Sequence, residues 1–442
     1  SGTGRICCAR PMPAPRGVKG MDNAAEEAPA TRTIGFWGAW SLTVGVMIGS
    51  GIFLLPSVMA PYGLMGFSGW VLTAAGSIML ALVMSRLALR TTRSGGPYIY
   101  ARDAFGDLPG FLVIWGYWAS YWIAIPTVAI AFVGYLAVFF PELSQAPIAR
   151  AGVALGLIWL LGIVSLRGVR EASLVQLGMT LLKLLPILAI IGYGAVAGQV
   201  ENLPDYNPSG QPFLPVLATT ALLTMWAFSG LECATIPAGD VRDPQKTIPR
   251  ATMIGTITVA IVYIASTAAA ARGLGPWAPK MVAIGALIST AGCLNGLIFI
   301  AGQLPMAVAI DKLAPKAFAK RNSRGAPQLS LLVSLILGSA LLLANFSDSL
   351  IDTFEFLLMM STVTILLPLL VSALAELRHS WASARSWAII AILATLYSAF
   401  AIYGSGLEVM FWGMVLMLVG LPVYVLGRQG KADEVSPSAP AE

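Results

Sequence analysis

The sequence predicts an all-α integral membrane protein with about 12 transmembrane helices. Of its 442 residues, 57% are hydrophobic and only 11% are charged, whereas soluble domains usually carry about 25% charged residues. Apolar runs of about 20 residues, the length that crosses a bilayer, recur along the chain and end at Gly, Pro or charged residues. Basic residues cluster in alternate connections between these runs. No stretch remains that could fold as a separate soluble domain.

Successive apolar runs account for the predicted helices in order. Spans 1 to 5 occupy residues 35–200, spans 6 to 10 occupy 214–374, and spans 11 and 12 occupy 386–427. The individual spans lie near 35–58, 66–90, 107–140, 148–166, 172–197, 214–238, 251–272, 281–308, 328–345, 350–374, 386–403 and 408–427.

Polar tails flank the spans at both ends of the chain. Residues 1–34 and 428–442 have little apolar content to bury and are predicted to be disordered. Residues 1–34 also lack the apolar core of a signal peptide, so we expect no cleavage there. Met21 is an alternative start that would leave residues 1–20 untranslated.

The distribution of basic residues predicts the orientation in the membrane. Most of the 27 Lys and Arg residues fall on one side of the predicted helices, while Arg150, Arg272 and Lys280 fall on the other side. Connections rich in Lys and Arg stay in the cytoplasm, so we predict a multi-pass membrane protein with both termini cytoplasmic. The net charge of +6 is then a topology signal, and no nucleic-acid partner is expected.

The residue types exclude several classes of function. The four cysteines show no metal-ligand spacing, and the single histidine, His379, lies in a predicted cytoplasmic connection. An intramembrane enzyme would need a nucleophile with its base or a metal cluster, so we predict no enzymatic activity, no metal and no cofactor. An ion channel would need a repeated carbonyl loop or a ring of charges, and the sequence shows neither.

Two glycine-broken segments interrupt spans 1 and 6, at residues 47–53 and 226–232. Backbone freed at membrane depth is tolerated only where protein or a polar cavity satisfies it, and two breaks in matching positions are typical of a transport site between inverted repeats. The N–H groups after the first break, with the Ser50 hydroxyl, suit a carboxylate. The carbonyls of the second break suit an ammonium group. Together they fit the head of an α-amino acid, although close helix packing by small residues is an alternative explanation.

The sequence resembles the amino acid/polyamine/organocation (APC) transporter superfamily over residues 35–427, and in particular its bacterial basic amino acid/polyamine antiporter branch, which includes the arginine/agmatine antiporter. The segments that carry the resemblance are GSGIFLLP at 49–56, SGGPYIYAR at 94–102, WAFSGLE at 226–232, Asp243-Pro244 and Ile248-Pro249-Arg250. The resemblance implies a LeuT-like fold, a five-plus-five inverted repeat with broken helices 1 and 6 and two further helices. It implies that Ser50 and Gly51 hold the substrate carboxylate, that the carbonyls of Met47, Trp226 and Ser229 hold its amino group, and that the protein lies in the bacterial inner membrane. The candidate substrate-binding residues are Met47, Ile48, Gly49, Ser50, Gly51, Tyr117, Tyr121, Trp226, Ala227, Phe228 and Ser229. Trp226 is also a candidate gate, with packing in the helix bundle as the alternative.

Within that resemblance, several side chains indicate the kind of substrate. Tyr117 and Tyr121 are four residues apart and share one face of span 3. Ile125 and Leu297 stand where the arginine-handling member has an amide and a tryptophan, so the pocket is expected to be less polar and to lack a cation–π partner. These differences favour a neutral or apolar amino acid.

Two ionisable residues within the spans are candidates for coupling. Lys183 lies about 11 residues into span 5, hence about 16 Å deep at 1.5 Å per residue, where a charge costs at least about 2.5–3.5 kcal/mol. The resemblance implies proton coupling here, because proton-coupled members carry a lysine at this place. The alternative is a permanent structural cation. Glu232 matches a glutamate near the pocket, which makes it a proton relay, a counter-charge or a hydrogen-bonded interior acid.

We therefore predict secondary active transport of amino acids by alternating access, either proton-coupled or by exchange. Basic amino acid/polyamine antiport and a non-transporting amino-acid sensor of the same fold are the alternatives. The expected partners are an amino acid or amine substrate, protons and the lipid bilayer, and a homodimer is left open. The connection at 273–280 is shorter than in the family, which predicts either a simplified extracellular closure or impaired transport.

Overall fold

The structure, a computed structural model, describes residues 32–49, 51–274, 277–344, 350–404 and 407–435. Within these ranges the chain forms α helices joined by short 3-10 turns and loops. The helices are α1 (Phe36–Met47), α2 (Gly51–Met59), α3 (Phe67–Ala88), α4 (Pro97–Phe105), α5 (Asp107–Leu136), α6 (Pro147–Arg167), α7 (Val169–Val196), α8 (Phe213–Met225), α9 (Pro244–Ala271), α10 (Ala278–Ile310), α11 (Gln328–Ala344), α12 (Leu350–Ser380), α13 (Arg385–Gly404) and α14 (Leu407–Val435).

The described residues contain eight helical segments that are long and apolar enough to cross a membrane. They are Ala60–Ala88, Asp107–Leu136, Pro147–Arg167, Val169–Val196, Phe213–Thr235, Pro244–Ala271, Ala278–Ile310 and Arg385–Gly404. The shorter apolar helices are α1, α11 and the stretch Met410–Val425. This architecture confirms an all-α, multi-pass chain, while the total of about 12 spans and the inverted repeat stay predictions.

The core of the bundle is built around α10. This helix packs against α1, α5 and α7 and is buried along most of its length. In contrast, α6, α7 and α13 bury only part of their surface and expose large apolar side chains such as Leu160, Leu185 and Ile389. Exposed apolar faces of this kind suit contact with lipid tails.

The glycine pair before α4 brings this helix against the chain that follows the second break. Gly96 has a φ of 51°, which side-chain-bearing residues rarely adopt. The backbone N–H of Gly95 donates to Ile236 O at 2.8 Å, and Pro97 occupies the first helical position, where its missing N–H costs nothing. The sequence analysis did not predict α4, because its nine residues are too few for a span.

Both predicted tails are corrected in part by the structure. Ile34 is buried, and its backbone pairs with the chain after the second break: Ile34 N donates to Asp240 O at 3.0 Å and Arg242 N donates to Ile34 O at 2.9 Å. At the other end α14 continues to Val435, because Arg, Gln, Lys, Ala and Glu are good helix formers. Residues 1–31 and 436–442 lie outside the described residues.

Arginines in the connections also form ion pairs, beyond any role in topology. Arg86 Nε lies 2.7 Å from Glu376 Oε1, and Arg102 Nη1 lies 2.7 Å from Asp311 Oδ2. Tyr98 donates its hydroxyl to Asp311 Oδ2 at 2.8 Å, and burial together with Asp311 raises the pKa of this tyrosine, so it stays a neutral donor. These pairs tie α3, α4, α10 and α12 together at one end of the bundle.

Candidate functional site

The first break separates α1 from α2, as the sequence predicts. Ile48 leaves the helical conformation with φ −78° and ψ 86°, Gly49 follows it, and Ser50 lies outside the described residues. The carbonyls of residues 45–49 all accept hydrogen bonds from protein groups. The donors are Lys183 Nζ to Gly45 O and Ile48 O, Cys293 Sγ to Val46 O, Tyr263 OH to Met47 O, and Ser289 Oγ to Ile48 O and Gly49 O.

Lys183 supports this break from α7. Its side chain is fully buried, and Nζ donates to Gly45 O and Ile48 O at 2.7 Å each and to Ser289 O at 3.2 Å. An ammonium group has three N–H donors, so three acceptors satisfy it completely. The arrangement accounts for a charged lysine at this depth, and proton exchange by Lys183 stays a prediction.

The second break begins where α8 ends at Met225. Residues 226–228 form a 3-10 turn, Ser229 is extended, and Gly230 has a φ of 107°. A Cβ at Gly230 would lie 2.7 Å from Val46 Cγ1, so glycine is required here both for the backbone and for contact with the first break. On the other side, the Trp226 ring lies directly over Gly51, at the start of α2.

Tyr263 of α9 joins the two breaks, and the sequence analysis missed it. Its hydroxyl lies 2.6 Å from Met47 O and 3.1 Å from Ala227 O. The buried ring packs against Trp70 and Phe228, with centroid distances of 5.1 and 5.6 Å. The only available signal was a tyrosine within an otherwise apolar span, which by itself does not identify a partner.

A small cavity of about 50 Å³ lies between the breaks. Typical ligand pockets measure about 300–1,000 Å³, so the site is contracted in this conformation and must widen to admit an amino acid. The lining residues are Val46, Met47, Gly49, Tyr121, Ala124, Val128, Trp226, Ser229, Gly230, Cys293, Leu297, Ser361 and Ile365.

The predicted site residues fall into two groups in the structure. Those that line the cavity are Met47, Gly49, Tyr121, Trp226 and Ser229. Those that stand behind the lining are Ile48, Gly51, Tyr117, Ala227 and Phe228. The cavity wall from α5, α10 and α12 was not predicted beyond Tyr121 and Leu297, because helix rotation decides which apolar residues face inward.

Ile125 and Leu297, both expected to shape the pocket, differ in their surroundings. Leu297 lines the cavity. Ile125 is buried against Gly338 of α11 instead, so the expectation that it borders the pocket is wrong. It lies four residues after Tyr121 on a helix that contains Pro126, and the observed rotation of α5 at this level turns Ile125 toward α11.

Glu232 lies behind Tyr121 in a chain of hydrogen bonds. Tyr117 donates to Glu232 Oε1 at 2.5 Å, the Tyr117 and Tyr121 hydroxyls are 3.3 Å apart, and Tyr121 OH is 3.1 Å from Cys233 Sγ. Glu232 is fully buried, and its Oε2 has no hydrogen-bond partner among the described residues. The chain connects this carboxyl group to the cavity wall through two hydroxyls.

Comparisons with known proteins show the family of the chain. A family profile described as "Amino acid permease" matches residues 34–276, and a second profile with the same description matches residues 272–433. A Bacillus subtilis (strain 168) protein named for arginine/ornithine antiport is 30% identical over 88% of this chain and 96% of its own length. Two Escherichia coli (strain K12) proteins are each 28% identical. The putrescine transporter PotE matches over 87% of this chain and 94% of its own length, and the cadaverine/lysine antiporter over 89% and 95%.

Proposed function

The chain belongs to the amino acid permease family within the APC superfamily, and from that premise we propose that it transports amino acids by alternating access between two broken helices. The observation that carries the proposal is the meeting of both breaks at one small cavity. The relatives named as antiporters favour exchange of two substrates as the mode of transport. Proton coupling through Lys183 or Glu232 is the second mode that the buried charges support.

The substrate head group is held by different atoms of the two breaks. The carbonyls of residues 45–49 are all occupied by protein donors, so the first break offers the N–H groups at the start of α2, which have no intrahelical acceptor. These N–H groups and the positive end of the helix dipole suit the substrate carboxylate. Ser50 is an additional donor by resemblance.

The substrate ammonium is held at the second break. Met47 O accepts from both Tyr263 OH and Gly49 N, which uses its two lone pairs. We therefore assign the ammonium to the carbonyls of Trp226 and Ser229 and leave Met47 as a wall residue. Trp226, which lies over Gly51 and lines the cavity, is placed as the gate.

The membrane arrangement follows the sequence. The corresponding breaks at 47–53 and 226–232 support a five-plus-five inverted repeat (residues 35–200 and 214–374) followed by two helices. The basic connections support a bacterial inner-membrane location with both termini cytoplasmic. A homodimer is compatible with the lipid-facing apolar surfaces.

Reconstitution tests the function. Purified protein in liposomes loaded with unlabelled amino acids should take up labelled external amino acid, and a pH gradient imposed without internal substrate separates exchange from proton coupling. Gly51→Leu should abolish uptake, because the new side chain meets the Trp226 ring. Gly156→Leu is the matched control, since Gly156 is an exposed helix glycine with open space around it.

Two results would contradict the proposal. Wild-type uptake by a folded Gly51→Leu protein would remove the site assignment. Ligand binding without any uptake would favour the sensor alternative. Size-exclusion profiles and thermal unfolding of both variants establish that each is folded before uptake is compared.

A further inference from the structure

The wall of the cavity beyond the two breaks is apolar, and we infer from it that the transported amino acid has a neutral, apolar side chain. The inference rests on the proposed function and concerns the half of the site that faces away from the breaks. That half is formed by Ala124 and Val128 of α5, Leu297 of α10 and Ile365 of α12. Four aliphatic side chains from three helices make it complementary to a hydrocarbon group.

The polar side chains on the same wall are already occupied. Tyr121 OH contacts Tyr117 OH and Cys233 Sγ. Ser361 Oγ donates to Ser120 O at 3.1 Å, and Cys293 Sγ donates to Val46 O at 3.3 Å. A second amine or a guanidinium on the substrate would therefore have to displace an existing hydrogen bond or remain unpaired, which is costly for a buried charge.

Charged side chains near the cavity stand behind its lining. Among the described side chains, none of the charged ones borders the cavity. Lys183 is bound to three backbone carbonyls, and its positive charge would repel a second cation. Glu232 is separated from the cavity by the Tyr117 and Tyr121 hydroxyls. The carboxyl group of Glu232 is thus not available at the cavity surface to pair with a second cationic group of a substrate.

The inferred substrate class differs from the compounds in the names of the relatives. Their names refer to arginine, ornithine, putrescine, cadaverine and lysine. Each of these compounds carries two cationic groups, one at each end of a carbon chain. In the present cavity, the second cationic group would meet aliphatic side chains. Leu297 and Ile365 are accordingly placed as the residues that determine which side chains fit.

Exchange assays in proteoliposomes test the substrate class. Each compound of a panel, namely alanine, leucine, methionine, phenylalanine, ornithine, lysine, arginine and putrescine, serves in turn as internal and external substrate of the intact protein. We expect leucine-like compounds to exchange at least about tenfold more efficiently than ornithine or putrescine, a ratio of the size that hydrophobic pockets achieve. Efficient exchange of ornithine, lysine or putrescine would overturn the inference alone. Absence of exchange with every compound would overturn the proposed function and this inference together.

A pair of leucine variants tests the wall itself. Leu297→Ala enlarges the cavity and should shift the efficiency ratio of phenylalanine to alanine by about tenfold toward phenylalanine. Leu294→Ala is the matched control, because Leu294 is fully buried on the same helix but does not line the cavity. An equal shift in both variants, or none in Leu297→Ala, would overturn the assignment of Leu297.

The Glu232→Gln variant tests whether the substrate side chain is apolar or cationic. The substitution removes the ionisable carboxyl group while keeping an acceptor for the Tyr117 hydroxyl. We expect the preference for leucine over ornithine to be unchanged. If the variant lost exchange of ornithine selectively, Glu232 would be the acceptor of a substrate cation and the inference would be wrong.

Discussion

Replacing Tyr263 with Phe tests whether one hydroxyl holds the two broken helices together. The substitution removes only the oxygen atom that lies 2.6 Å from Met47 O and 3.1 Å from Ala227 O. The ring would keep its packing against Trp70 and Phe228, so the effect can be assigned to the lost hydrogen bonds.

The expected loss of stability depends on which hydrogen bonds Met47 O and Ala227 O retain in the variant. Met47 O would retain the N–H of Gly49 at 3.0 Å, whereas Ala227 O would lose its bond to Tyr263. A buried acceptor left unsatisfied costs about 1–3 kcal/mol. We expect the free energy of unfolding to fall by about 1–3 kcal/mol. If the lost bond helps to hold the binding conformation, substrate affinity should fall by about tenfold for each 1.4 kcal/mol.

Thermal unfolding in detergent and equilibrium binding of labelled substrate measure the two effects. Tyr397→Phe is the control, because Tyr397 is also a buried tyrosine, and its hydroxyl contacts Ser77 Oγ at 3.5 Å, away from the breaks. The reasoning fails if Tyr263→Phe unfolds and binds substrate like the wild type, or if the two variants lose the same amount.

The remaining predictions concern buried charges. Lys183→Met removes three hydrogen bonds at the first break and should lower thermal stability and abolish any response of uptake to a pH gradient; an unchanged response would show that Lys183 is structural. Glu232→Gln should also flatten the pH profile of uptake, whereas Tyr117→Phe, which keeps the carboxyl group, should shift that profile without removing it. Arg321→Met breaks the buried 2.6 Å ion pair with Asp240 and should destabilise the protein by about 3–5 kcal/mol in denaturation experiments, and a double variant with Asp240→Leu should recover part of the loss.

Local features of the site were predictable because they have local causes. Gly49, Gly51 and Gly230 weaken helices wherever they stand in an apolar span, so both breaks could be located without coordinates. Tyr117 and Tyr121 share a face because their spacing matches the helical period, and their ring centroids are 5.0 Å apart. Lys183 was identified because a charge in an apolar span requires partners.

Contacts between distant segments could not be predicted in the same way. Tyr263 is 216 residues from Met47 in sequence, and nothing in its neighbours indicates that its hydroxyl meets both breaks. Ile125 and Leu297 are both apolar residues in spans, yet only the rotation of their helices places Leu297 at the cavity and Ile125 against α11.

The sequence by itself determined the all-α membrane class, the family and the position of both breaks, because hydropathy and glycine act on the residues where they occur. Only the tertiary structure decided which groups satisfy the freed backbone. It assigned the carbonyls of the first break to Lys183, Tyr263, Ser289 and Cys293 as their hydrogen-bond donors. The physical reason is that a hydrogen bond depends on the distance and angle between two atoms, which helix packing sets and residue order does not.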